Sequence, residues 1–239
     1  MEYSPVLAMA TAAFEIVVAG WALAMRGEPG ARGVLQTTSA ILLLLAGYQI
    51  AEVAICADVA AAGFLPRLAF IIVTWLPPLG LVLIAQLRQP RSTSLVATAS
   101  AMLAAAAGIV VWIAVDRSFA SASVCTAVYA RYSHAMPGFR IYAWFYWIGL
   151  AAMVVASGYG MATCTDSHRR RQLRFVLIGT LAFVVPGLTL SWVVPPARGA
   201  LPSILCHLAL LLAICLAWLI RLEAKVCKTA SGTAATQAG

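Results

Sequence analysis

The chain has 239 residues, 63% of them hydrophobic and only 10% charged, with a formal net charge of +8. Soluble domains carry about a quarter charged residues. The composition therefore excludes a soluble globular domain, and apolar runs recurring along the whole length describe a polytopic membrane protein.

A hydrocarbon core about 30 Å thick is crossed by about 20 apolar helical residues. Seven stretches meet that length in chain order: Val6–Met25, Val34–Cys56, Leu68–Leu87, Leu95–Val115, Ile141–Thr163, Phe175–Val193 and Leu201–Ile220. Ahead of the first stands Glu2 in place of a basic n-region, and no clean cleavage site follows, so it reads as a span and not as a secretory leader. Polar breaks separate the spans: RGEPGAR, DVAAAGFLPR, RQPRSTS, the long DRSFASASVCTAVYARYSHAMPGFR, TDSHRRRQLR and VPPARGA. The expected fold is all-α, an integral membrane seven-helix bundle over residues 1–222. Residues 223–239, ending TASGTAATQAG, form a small polar tail that lacks the apolar content to pack and is expected to be disordered.

Short cytoplasmic loops collect Lys and Arg. One set of loops holds Arg26, Arg32, Arg88, Arg91, Arg169, Arg170, Arg171, Arg174, Arg221, Lys225 and Lys228; the other holds Arg67, Arg117, Arg131, Arg140 and Arg198. Eleven against five places the N-terminus outside and the C-terminus in the cytoplasm of a bacterial inner (plasma) membrane. The positive charge is then a topology signal with lipid-headgroup contacts, and no nucleic-acid partner is expected. The RRR run reads as a solvated stop at a helix end.

The first span contains Glu15 near its middle. A charge there costs several kcal/mol unless it is protonated or partnered. Glu15 is thus either a helix–helix hydrogen-bonding residue or part of a proton or ion path. In the second span, AGYQIAEVAIC places Glu52 about one turn below the outer surface. Tyr48 and Cys56 lie four residues to either side of it and Gln49 three before it, all on one inward stripe. In the third span, VTWLPPLG sets Trp75, Pro77 and Pro78 near mid-membrane. Proline removes a backbone donor and frees carbonyls, which suits a hinge or a cavity wall; Pro186 does the same in the sixth span.

The 25-residue break before the fifth span carries Phe119, Tyr129, Tyr132, His134 and Phe139, an aromatic content that suits a lid or a docking surface. Beyond it, Tyr142, Trp144, Tyr146 and Trp147 suit an interfacial belt. In the seventh span, His207 sits about two turns below the outer surface, close to the depth of Glu52. A neutral imidazole and a carboxylate at matching depth can share a proton or a metal. Cys56, Cys125 and Cys206 fall on the outer side, where a bridge from Cys125 to Cys56 or to Cys206 is permitted. Glu52, Cys56 and His207, with His134, are the only candidate metal donors, and no HxxxH spacing supports them.

Seven outside-in helices invite comparison with three known groups. Microbial rhodopsins need a lysine in the seventh helix, and Leu201–Ile220 has none. The alkaline ceramidase and adiponectin-receptor superfamily needs an HxxxH pair late in the chain, and His207 is followed four residues on by Leu211. LLLLAGYQIAEVAIC, TWLPPLGLVLI and LPSILCHLALLLAICLAWLI together resemble a family of uncharacterised bacterial seven-helix proteins. That family has a Gln…Glu pair in the second helix, a Trp-Pro pattern in the third and a Pro-Ser…Cys pattern opening the last. The resemblance singles out Gln49, Glu52, Trp75, Pro77, Pro202, Ser203 and Cys206 and brings no activity with it.

The sequence thus leads to an outward-facing polar intramembrane pocket built on Glu52, Gln49 and Tyr48, closed by His207 and Trp75, with Glu15 deeper. It binds or passes a small ligand, ion or proton, as a sensor or transporter. The alternatives are an accessory subunit of a larger membrane complex and an intramembrane metal-dependent hydrolase. No catalytic residue or cofactor is assigned; the partners expected are the lipid bilayer and other proteins of a membrane complex.

Overall fold

The computed structural model describes residues 4–25, 29–57, 64–126, 130–134, 138–193 and 201–237. Helices dominate because no water is present in a hydrocarbon core to satisfy backbone polar groups, and a helix satisfies its own. In chain order they are α1 (Val6–Ala24), α2 (Pro29–Cys56), α3 (Leu65–Thr74), α4 (Leu76–Leu87), α5 (Thr93–Val115), α6 (Gly138–Thr163), α7 (Ser167–Val193) and α8 (Leu201–Gln237). With α3 and α4 together forming one crossing, seven helical units are long and apolar enough to span a membrane.

The α3–α4 division falls where the two prolines predict it. Pro77 and Pro78 occupy the first turn of α4, where a missing N–H costs nothing. Neither can donate to the carbonyls of Val73 and Thr74, so the preceding turn tightens and Trp75 N–H reaches Ile72 O at 3.4 Å.

Four buried hydroxyls are satisfied within their own helix. Thr11, Thr38, Thr74 and Thr180 each donate to the carbonyl four residues back, at 2.6–2.9 Å. Ser39 instead donates to Ala19 O at 3.2 Å and ties α2 to α1. Small residues set the closest approaches. A Cβ added at Gly149 on α6 would lie 2.6 Å from Pro77 Cβ on α4, too near for any side chain. The α5 helix is peripheral. It buries only Leu95, Ala99, Ala106 and Ile113, a narrow stripe along one edge.

The segment between α5 and α6, which hydropathy leaves as a loop, contains an antiparallel hairpin of β1 (Ala120–Cys125) and β2 (Ala130–His134). Asp116 starts the turn into it. Ser118 donates both Oγ and N–H to Asp116 Oδ1, at 2.6 and 2.9 Å, and these bonds hold the Asp116 carboxyl below the usual carboxylate range. Phe119, Ala120, Ala130 and Tyr132 are buried with Phe70, Ile113 and Tyr142, so the hairpin is folded down onto one end of the bundle. Phe70 meets Phe119, Tyr132, Phe139 and Tyr142 edge-on, with ring centroids 5.2–6.0 Å apart. The expected aromatic belt therefore divides. Trp144 is 69% exposed and faces outward, while Tyr142 turns into this cluster.

Two further differences from the sequence reading lie at the other end. The α8 backbone does not stop with the apolar run at Leu222; it stays helical to Gln237. Residues 223–237, expected to be disordered, carry four Ala, among the best helix formers, besides three Thr, two Lys and one Glu. The RRR run is not simply solvated. Arg169 pairs with the buried Glu223 of α8, and both bond to Gln172: Arg169 Nη1 donates to Gln172 Oε1 at 2.8 Å, and Gln172 Nε2 donates to Glu223 Oε1 at 2.9 Å. The segments holding Arg26 and Arg198, used above for orientation, lie outside the described residues.

Candidate functional site

The second helix delivers its polar stripe to the interior as spacing predicts. Glu52 and Gln49 are 0% exposed, and Tyr48 is buried with Ala51, Val73 and Cys206. The last helix runs antiparallel to α2 in this region and brings Cys206 and His207 alongside. Gln49 Nε2 donates to Cys206 O at 2.8 Å, and His207 Nε2 lies 4.0 Å from Glu52 Oε1. Helical spacing alone could not decide whether these two side chains face each other; the structure places them together.

The tautomer of His207 follows from its second contact. Nδ1 lies 2.8 Å from Ser203 O, one turn back on α8. A carbonyl only accepts, so Nδ1 carries a hydrogen and donates it. That leaves Nε2 facing the carboxyl, as a lone pair when the ring is neutral and as N–H when it is charged. At 4.0 Å the two groups are beyond hydrogen-bond length and stand as an ion-pair contact when the ring is charged.

The hairpin closes over this group through its neighbours. Tyr48 OH, one turn before Glu52, is 3.2 Å from Tyr132 OH of β2. Ser203 Oγ, on the residue whose carbonyl orients His207, accepts from Ala130 N at 3.2 Å. Cys56, one turn beyond Glu52, forms a disulfide with Cys125 of β1 across 69 residues. Of the two pairings open to Cys125 the structure holds the one to Cys56; Cys206 is a buried free thiol. With its sulfur in the bridge, Cys56 is not a thiolate donor, which takes one ligand from the metal set of Glu52, Cys56 and His207. Among the described residues no group of three His, Cys, Asp or Glu is placed to hold a metal ion. His134 ends β2, and its side chain lies outside the described residues.

Two expected members stand apart from the pair. Trp75 marks the α3–α4 break and, among the described residues, makes no side-chain hydrogen bond with the Glu52 group. Glu15 is 0% exposed, and neither of its oxygens has a hydrogen-bond partner among the described residues. The Ser39–Ala19 bond fixes the register of α1 against α2. Counting four residues from it in each helix sets Glu15 level with Leu43, about 9 Å further from the hairpin than Gln49. On the other side of α2, against Ile41 and Leu45, lies a cavity of about 30 Å³, lined by apolar residues together with Tyr146 and Cys206. That is room for about one water.

Sequence reasoning named Ser203 and Tyr132 without their contacts, Ser203 O to His207 and Tyr132 OH to Tyr48, and missed Ala130 as a lid contact. The signal for Ser203 was its position four before His207; a hairpin partner for Tyr48 had no local signal. Comparison of the chain with protein-family models, characterised proteins and solved structures returns no match.

Proposed function

We propose that this polytopic membrane protein binds or passes a small ligand, ion or proton at an outer-half polar site, as a sensor or transporter, with Glu52 and His207 as its proton-handling pair. The observation that carries the reading is the placement of Glu52 Oε1 4.0 Å from His207 Nε2, with the other ring nitrogen committed to Ser203 O. A carboxyl kept inside a membrane bundle at this cost is expected to serve a path or a site. The His207 side chain keeps 13% of its surface exposed and Glu52 none, so His207 is the member that exchanges protons with the outside. Glu15, about 13 Å deeper than Glu52, is the next carboxyl along the same line.

The hairpin is the lid of this site. Its bonds to Tyr48 and Ser203 each fall one turn from a member of the pair, so lifting it releases both supports together. The orientation with the N-terminus outside and the C-terminus in the cytoplasm puts the hairpin in the oxidising compartment. Two features support it: the eleven-to-five bias of basic residues and a disulfide at the hairpin end. Potentiometric titration of the purified protein across neutral pH tests the pair. Glu52→Gln and His207→Ala should each take up about one proton fewer than wild type. Equal uptake in all three proteins would overturn the reading.

A further inference from the structure

The lipid-facing side of α1 and α8 carries a feature that the polar site does not use. A groove of about 510 Å³ runs between the two helices, lined by Phe14 and Trp21 of α1 and by Ile214, Ala217, Trp218 and Arg221 of α8. Among the described residues Arg221 makes no ion pair. Its guanidinium lies 5.0 Å from the centre of the Trp218 ring, and that ring stacks on Phe175 of α7, 6.5 Å away and 8° from parallel. A guanidinium laid on an aromatic face keeps its N–H edge free for two parallel bonds to a phosphate or carboxylate.

The depth of Arg221 fits a headgroup. It stands two residues before Glu223, whose pairing with Arg169 marks the polar end of the bundle. Both walls of the groove span seven residues, about 10 Å of helix. The groove therefore runs from headgroup depth about a third of the way across a ~30 Å core. Two tryptophans at the wet end of an apolar channel are the usual interfacial arrangement.

We propose that this groove is a binding site for an anionic phospholipid, its phosphate on the edge of Arg221 and the upper part of one acyl chain between Trp21 and Trp218. The unpaired cation at the mouth of an apolar channel is what selects a charged lipid here over a neutral one. The inference depends neither on the Glu52–His207 pair nor on which leaflet Arg221 faces.

The test is native mass spectrometry of the full-length protein with phosphatidylglycerol and phosphatidylcholine of matched chains. One basic residue near a membrane surface gives about a five-fold preference for the anionic lipid, and wild type should show it. Arg221→Gln should bring the ratio close to one, and Arg174→Gln, an exposed arginine outside the groove, should leave it unchanged. Ala217→Trp fills the channel without touching the charge and should lower retention of both lipids. The proposal is overturned if wild type shows no preference, if Arg221→Gln keeps it, or if Ala217→Trp retains lipid as wild type does.

Discussion

The two ends of the bundle each bury a glutamate on or against α8, and they treat it differently. At the end away from the hairpin, Glu223 meets a permanent cation. Arg169 contacts it directly and Gln172 bonds to both. At the hairpin end, Glu52 faces an imidazole at 4.0 Å. Arginine stays charged at any working pH, so the first arrangement has one state and serves as a stitch between α7 and α8. Histidine has a neutral and a charged form, so the second arrangement is not fixed as an ion pair. A buried acid in a membrane protein is therefore not by itself a functional site; its partner decides.

Stability separates the two regions most strongly. Glu223→Ala leaves the buried side of Arg169 uncompensated and should cost about 3 kcal/mol or more, read as a fall in the thermal midpoint in detergent. Glu52→Gln keeps the shape and a hydrogen-bonding end, and should cost about 1 kcal/mol or less. Equal losses in the two variants would make both ends stitches. Next in size is the lid's covalent tie. Cys56→Ser should cost about 2–4 kcal/mol, and peptide mapping without reductant should find Cys56 joined to Cys125 in wild type. A Cys125–Cys206 peptide in its place would remove the lid geometry described above. The smallest effect is the hydroxyl contact of Tyr48 with Tyr132. A double-mutant cycle of Tyr48→Phe and Tyr132→Phe should give a coupling of about 1 kcal/mol, and zero coupling would leave the Cys56–Cys125 bridge without a hydroxyl contact beside it.

What the sequence made legible follows from what hydropathy can carry. The seven crossings were readable because span length is set by the bilayer, and the α3–α4 division because Pro77 and Pro78 leave no alternative. The inward stripe of Tyr48, Gln49 and Glu52 was readable from helical spacing. The hairpin was not. Its first strand reads ASASVC, small residues without the long apolar alternation that marks a strand, and its stability comes from Phe119 and Tyr132 docking on the distant Phe70. The Arg169–Glu223 pair was hidden because Arg169 sits in a basic run and its partner lies 54 residues away. The facing of Glu52 and His207 belongs to the same class. Each side chain could be placed at a depth, but only the packing of α2 on α8 fixes the angle between them.

The most direct test of the central claim is infrared difference spectroscopy of the reconstituted protein across a pH step, following the carboxylic C=O stretch. A proton shared between Glu52 and His207 predicts a carboxyl band that disappears in Glu52→Gln and titrates at a different pH in His207→Ala. A band unchanged in Glu52→Gln, or one whose midpoint ignores the loss of His207, would contradict the account.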